Sequence, residues 1–174
     1  VVSGRRPWGW HRLDPYWAEQ VVATAAIRPG ELVVDLGAGT GALTVPLVQA
    51  GARVIAVELH AGRARQLRAN LSDHAASVVE CDLADFIPPG RSFRLLANPP
   101  YALTTGILAL VARSTHLTAA DLVLQRAVVR RVVDQGRRDL RRFQASRGLP
   151  LPRKAFSPPP PVDSAVLQLR RRRR

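Results

Sequence analysis

This chain has no methionine, one cysteine (Cys81), one lysine (Lys154), and half as many acidic residues as basic ones, 13 against 26. A lone cysteine excludes an internal disulfide, and no cluster of Cys, His and carboxylates has metal-ligand spacing, so no metal is expected. Cys81 reads as a buried spectator thiol. His11, His60, His74 and His116 are scattered, and only His11 falls near the residues singled out below. No apolar run approaches the roughly 20 residues needed to cross a bilayer, and Val1 to Arg12 lacks the apolar centre of a secretory signal, which predicts a cytoplasmic protein. With no methionine, Val1 reads as a trimmed end or as a GTG start codon translated literally.

What is present in excess is positive charge. A formal charge of +13 and a pI near 11.7 point to a polyanionic partner, nucleic acid first. GC-rich coding accounts for arginine in place of lysine, but not for the excess of basic over acidic residues. At 174 residues and 47% apolar, the chain is long enough for one core burying about two-thirds of its unfolded surface, and too short for two ordinary domains. The expected organisation is a basic, aromatic, irregular arm over 1–13 (Arg5, Arg6, Trp8, Trp10, His11, Arg12), a catalytic domain over 14–169, and an arginine tail over 170–174. A monomer is expected.

Asp14-Pro15 makes a helix start, with Trp17, Val21, Val22 and Ala25 at helical spacing. Strands then alternate with helices: strands at Val33–Leu36, Arg53–Val57, Ser77–Glu80, Phe93–Ala97 and Leu122–Leu124, and helices near 42–50, 62–71, 105–111 and 127–135, the last carrying Arg130 and Arg131 with Arg137 and Arg138 after it. Such alternation means an α/β fold with a parallel sheet and right-handed crossovers. The proline run Pro158 to Pro161 reads as an extended loop outside any sheet, delivering a final strand over Val162–Leu169 with period-two alternation.

Four residues carry the most chemistry. Asn98-Pro99-Pro100-Tyr101 follows a buried strand and so falls at the carboxyl edge of the sheet. The set offers an amide, two carbonyls without competing N–H groups, and a ring, which suits holding an exocyclic base amine while stacking on the base. By itself the tetrapeptide reads equally as a plain turn. Upstream, Asp35-Leu36-Gly37-Ala38-Gly39-Thr40-Gly41 is a strand running into a glycine-rich turn and a helix start, a nucleotide-cofactor loop. Glu58 ends the next strand, where a carboxylate takes both ribose hydroxyls. Loop and Glu58 fit NAD as well as S-adenosylmethionine. Asp82 and Leu83 after the third strand, suited to a cofactor adenine, and the Asn98 motif on the fourth favour the methyl donor. Phe156, just before the proline run, is placed to lie over a base, or else fills the core.

With these residues assembled, the chain resembles the adenine-N6 methyltransferases of ribosomal RNA, and within them the Erm proteins that confer macrolide, lincosamide and streptogramin B resistance. The resemblance rests on Asp35 to Gly41, Val57-Glu58, Asp82, Asn98 to Tyr101, Leu124-Gln125-Arg126, and Phe156 through Pro158, Pro160, Val162, Asp163 and Ser164. It implies a Rossmann-like, S-adenosylmethionine-dependent fold, a mostly parallel doubly wound sheet with a final antiparallel strand. It also implies 23S ribosomal RNA as substrate, and is nearest to short forms with a Trp-Gly-Trp-His arm and no C-terminal helical domain. Gly37, Gly39 and Gly41 would then border the cofactor's methionine part, Glu58 take its ribose, and Asp82 with Leu83 hold its adenine, with Asp35 and Leu59 also among the cofactor-binding residues. Asn98 and Pro99 would orient the amine, with Asn98 also meeting cofactor, and Tyr101 and Phe156 would sandwich the flipped base. His11 and Leu13 occupy the stretch that contacts cofactor in relatives, where Trp10-His11-Arg12-Leu13 replaces a Gln-Asn-Phe-Leu-like segment.

Three other functions share parts of this pattern. Small-subunit ribosomal RNA dimethylation uses the same motifs. A DNA adenine methyltransferase also uses Asn-Pro-Pro-Tyr but needs an inserted recognition region, for which there is no room. A catalytically silent RNA-binding protein on the same fold is opposed by intact Asn98, Tyr101 and Glu58.

Overall fold

The computed structural model describes residues 11–71 and 75–172. The arm residues Arg5, Arg6, Trp8 and Trp10, His74, and the last two tail arginines lie outside the described residues. Strand β1 (Arg12–Leu13) leads into helix α1 (Pro15–Ala25). Asp14 caps that helix by accepting from the Tyr16 amide at 3.0 Å, with Pro15 at its first position. The helix buries Ala18, Val21, Val22 and Ala25 and ends at Ala26, which takes the left-handed φ of 52°.

Next come β2 (Leu32–Leu36), α2 (Thr44–Gln49), β3 (Arg53–Glu58), α3 (Ala61–Asn70) and β4 (Ala76–Glu80). After β5 (Phe93–Ala97) come a 3-10 turn at Tyr101–Leu103, α4 (Thr104–Arg113), β6 (Leu117–Gln125) and α5 (Arg126–Gln135). The remaining strands are β7 (Phe143–Leu151), β8 (Phe156–Ser157) and β9 (Ser164–Arg171). The main sheet has seven strands in the order β4-β3-β2-β5-β6-β9-β7, and only β9 runs against the others. This is a Rossmann-like α/β sheet with an antiparallel last strand. Alternation along the central strands splits the core in two. Val34, Leu36 and Leu95 pack with α4 and α5, whereas Val33, Val54 and Leu96 pack with α1, α2 and α3. The connections leave β2 in opposite directions, toward β3 and toward β5, so their carboxyl ends frame the crevice where such sheets bind ligands.

Four expectations need correction. The arm is not irregular throughout: Arg12 and Leu13 pair antiparallel with Ser157 and Phe156 in a separate two-stranded sheet, because Leu13 is apolar and buries at 1% exposure beside Phe156. The fifth strand begins at Leu117 rather than Leu122. Asp121 interrupts its apolar run, but its carboxylate is buried against Arg94 (3.3 Å) and Arg170 (2.7 Å), so the strand continues through the charge. Strand β7 was unforeseen because Gly148 and Pro150 break its pattern; it lies at the sheet edge, with a register shift between Arg147 and Pro150, where proline is tolerated. The tail boundary at 170 falls inside β9, since Arg170 pairs with Asp121 and Arg171 donates to the carbonyls of Thr115 and Leu117.

Arg94 ties the sheet to α1. It is 8% exposed and donates to the Ala25 and Ala26 carbonyls at the helix end while pairing with Glu31 and Asp121, both at 3.3 Å. Its charge thus satisfies carbonyls that the helix itself leaves open. Among the described residues no helix is long and apolar enough to cross a membrane. No group of three or more His, Cys, Asp or Glu among them is placed to hold a metal.

Candidate active site

The carboxyl ends of β2, β3 and β5 bring Gly37, Glu58 and Asn98 to one edge. The loop after β2 turns through left-handed glycines, φ 73° at Gly37, 59° at Gly39 and 99° at Gly41. Two of these face different surroundings. A Cβ on Gly37 would meet nothing within 4 Å and the residue is exposed, so open space lies before it; a Cβ on Gly41 would meet Leu67 Cδ1 at 2.7 Å, so that glycine serves close packing against α3.

Glu58 holds the loop in shape. Its carboxylate is buried, with Oε2 accepting from the Gly39 amide at 2.8 Å. Oε1 accepts from the His60 amide (2.8 Å) and from Arg63 through Nε (3.0 Å) and Nη2 (2.7 Å). One carboxylate therefore links the glycine loop to the first turn of α3. Behind the loop, Asp35 is 1% exposed and accepts from Thr44 Oγ1 at 2.6 Å. Burial pushes its carboxyl up from 3.8 to about 7, the Thr44 bond opposing this and the charge of Glu58 adding to it.

A cleft lined by Arg12, Leu13, Asp35, Gly37, Thr40 and Asn98 runs between these elements. On its far side Asn98 Nδ2 donates to the main-chain carbonyl of His11 at 3.0 Å. That bond assigns the amide, leaving Oδ1 as the acceptor for another group. The His11 ring bonds through Nδ1 to the Pro158 carbonyl at 2.8 Å and stands 5.9 Å from the Tyr101 ring, tilted by 38°. The Tyr101 hydroxyl bonds to Ser164 Oγ at 2.7 Å. Burial raises the Tyr101 phenol above its ordinary value, so it is protonated at neutral pH.

Of the expected residues, Leu13, Asp35, Gly37 and Asn98 share the cleft, with Tyr101 joined to them through His11. His11 is placed on the side of Asn98, Tyr101 and Pro158. Gly39 has its amide taken by Glu58, and Gly41 lies in a neighbouring groove with Arg12, Pro15, Glu19 and Val45. Asp82 and Leu59 are exposed beyond the cleft lining, with Asp82 accepting from the Ala84 amide at 2.9 Å, and Leu83 packs partly into the core. Pro99 is buried. Phe156 departs from its expected role: at 4% exposure it is packed with Leu13, Leu151 and Val166, so in this conformation it fills the core and presents no face to a base. Cys81, its thiol pushed up by burial, joins none of these contacts.

Arg63 and Thr44, which have clear parts here, were not singled out from the sequence, and Ser164 was named only within the resemblance, with no role. Arg63 could have been sought as the counter-charge that a buried Glu58 demands. Thr44 was visible as a hydroxyl at the helix start, and Ser164 as a polar residue opening an apolar strand. For none of them did spacing alone specify the partner.

The residues fit S-adenosylmethionine: an open glycine face at Gly37, Asp35, Thr40 and Asn98 as polar groups among apolar cleft walls, and Glu58 at the end of β3, its carboxylate buried and engaged by Gly39, His60 and Arg63. The family model described as "Ribosomal RNA adenine dimethylase" matches residues 11–174. A Thermosynechococcus vestitus protein named "Ribosomal RNA small subunit methyltransferase A" is 31% identical, over 98% of this chain and 71% of its own length. A Corynebacterium diphtheriae "rRNA adenine N-6-methyltransferase" is 34% identical, over 80% of this chain and 57% of its own. Among solved structures, the 23S rRNA methyltransferase ErmE superposes with a TM-score of 0.83 at 31% identity, covering 91% of this chain and 68% of that one. A magnesium protoporphyrin IX methyltransferase from Synechocystis with bound S-adenosylmethionine (18% identity, TM-score 0.66, 91% of this chain and 79% of that one) shares the fold. S-adenosylmethionine is the cofactor of this family.

Proposed function

We infer, since this chain belongs to the ribosomal RNA adenine dimethylase family, that it transfers methyl from S-adenosylmethionine to the exocyclic N6 amine of an adenine in ribosomal RNA. The observation that carries this reading is the Asn98 amide, which His11 holds with Oδ1 left to accept. Because the chain covers only part of its relatives' length, 57% to 71% in the two named above, activity on a whole ribosomal substrate is part of the proposal.

When bound, S-adenosylmethionine supplies an electrophilic methyl group on a positively charged sulfur. The residues of this chain do the rest. Asn98 Oδ1 and the Pro99 carbonyl accept the two N6 hydrogens and aim the nitrogen lone pair. Glu58 takes the ribose, Asp82 with Leu83 the adenine, and Gly37 lets backbone approach closely. A neutral amine and a cationic donor need alignment more than a strong base, since charge disperses as the bond forms. Extruding the adenine costs a few kcal/mol. Stacking on Tyr101 returns about 1–3 kcal/mol.

We favour 23S ribosomal RNA as the substrate, with macrolide, lincosamide and streptogramin B resistance as its consequence, on the likeness to ErmE. Small-subunit ribosomal RNA is the second reading, favoured by the names of several curated relatives. Mapping of N6-methylated adenines in both RNAs, from cells with and without the protein, tests both. New methylation in 23S RNA with raised macrolide tolerance is expected. Methylation confined to small-subunit RNA would replace the substrate, and none in either would overturn the activity.

A further inference from the structure

We propose that Ser164 is a positioning residue that fixes where the Tyr101 ring stands against the target base, a proposal resting on the reading above that Tyr101 meets this base. Every other freedom of the Asn98–Tyr101 segment is already restricted. Pro99 and Pro100 have fixed φ, and Tyr101 opens a 3-10 turn whose next donor bond, Leu103 to Pro100, closes at 2.9 Å. What is left is the swing of the Tyr101 side chain about its Cα–Cβ bond, and the 2.7 Å bond to Ser164 Oγ restricts it.

Topology delivers this tether. Being antiparallel, β9 begins at the carboxyl edge where its parallel neighbours end: Ser164 is opposite Gln125, the last residue of β6, and Leu151, the last of β7. Ser164 is 1% exposed and held in ladders on both sides, so its hydroxyl is fixed by the sheet rather than by a loop. Tyr101 is bonded at its tip to β9 and has the His11 ring 5.9 Å from its own, and the residue stays partly exposed. A ring anchored at the hydroxyl keeps its face free for stacking while Asn98 Oδ1, three residues back, takes the amine. The two contacts to the adenine, face and edge, are then set in position relative to each other by β5 and β9 together.

The test is a double-mutant cycle read as kcat/KM for methylation of ribosomal RNA, with calorimetric affinity for S-adenosylmethionine and thermal melting alongside. Ser164→Ala and Tyr101→Phe should each lower kcat/KM about three- to tenfold, the worth of one neutral hydrogen bond. Combined they should lose no more than either alone, with cofactor affinity unchanged. An RNA carrying 2-aminopurine at the target position should show weaker stacking quench with either variant. Tyr101→Phe leaves β9 untouched, so it keeps the test valid should Ser164→Ala fold poorly. Additive losses, or parental kcat/KM in Tyr101→Phe, would overturn the tether. If Tyr101→Ala also methylates like the parent, the base-site reading itself fails; if Tyr101→Ala is impaired while Tyr101→Phe is not, only the tether does.

Discussion

The side-chain amide of Asn98 and the main-chain carbonyl of His11 meet at 3.0 Å, joining residues 87 positions apart in the chain. This bond settles the orientation of an amide that symmetry of shape would leave ambiguous, and it makes β1 part of the reactive edge. His11 reaches the same edge a second way, through its ring and Pro158.

Asn98→Ala should therefore abolish methylation, with a loss of about 100-fold or more in kcat by analogy with removal of one aimed polar group at a reacting centre. Asn98→Asp should be as poor, because a carboxylate facing the His11 carbonyl has no donor to offer it. Both should bind S-adenosylmethionine nearly as the parent does in calorimetric titration. Parental turnover in either would reject the catalytic assignment.

Asp82 and Glu58 are unequal probes of cofactor binding. Asp82 is exposed and makes one local turn bond, so Asp82→Ala should leave melting within about 0.5 kcal/mol of the parent while weakening cofactor affinity. Glu58→Ala orphans the buried Gly39 amide and removes one partner of Arg63, so it should lose about 1–3 kcal/mol of stability as well as affinity. Unchanged affinity in Asp82→Ala would remove that residue from the adenine site.

Much of the sheet was readable because its central strands are uninterrupted apolar runs ending in chemistry-bearing residues: Phe93–Ala97 carries Asn98, and Arg53–Glu58 carries its own acid. What was not readable was tertiary compensation. Asp121 looks like a strand breaker until Arg94 and Arg170 reach it from two other strands. Gly148 and Pro150 look like a loop until an edge position makes the donor that Pro150 lacks harmless. Phe156 shows the reverse limit: its place beside the proline loop was legible, but burial against Leu13 depends on an arm whose pairing no local pattern announces.

Asp35 predicts a pH dependence. The folded state keeps its carboxyl protonated up to about 7, whereas the unfolded chain releases that proton near 4. Between these values the native state binds more protons, so the Asp35 contribution to stability falls as pH rises from about 4 to about 7 and is constant above. Burial sets this shift, with the Thr44 hydrogen bond opposing it and the charge of Glu58 adding to it. Melting of Asp35→Asn against the parent over this range should show a difference that grows in favour of the variant with rising pH; a pH-independent difference would contradict the protonated carboxyl.

The last prediction concerns the grip on RNA. Among the described residues, β9 carries Arg170 and Arg171 away from the reactive edge. Its first residue, Ser164, is at the reactive edge, and Arg171 is seven residues further on, about 23 Å at strand rise. Arg170 and Arg171 are also committed to Asp121, Thr115 and Leu117. Helix α5 starts at the correct edge: Arg126, 63% exposed at its side chain, follows β6 directly and pairs with Asp163 at 3.4 Å. Arg130 and Arg131, one turn on, are exposed and pair with no carboxylate among the described residues. Each phosphate contact on single-stranded RNA adds about 0.7 to the logarithmic salt slope, so Arg130→Ala with Arg131→Ala should flatten it by up to roughly 1.4. A chain ending at Arg172, which keeps β9 whole, should retain the parental slope. A flattened slope in the shortened chain and an unchanged one in the helix variant would return the grip to the tail.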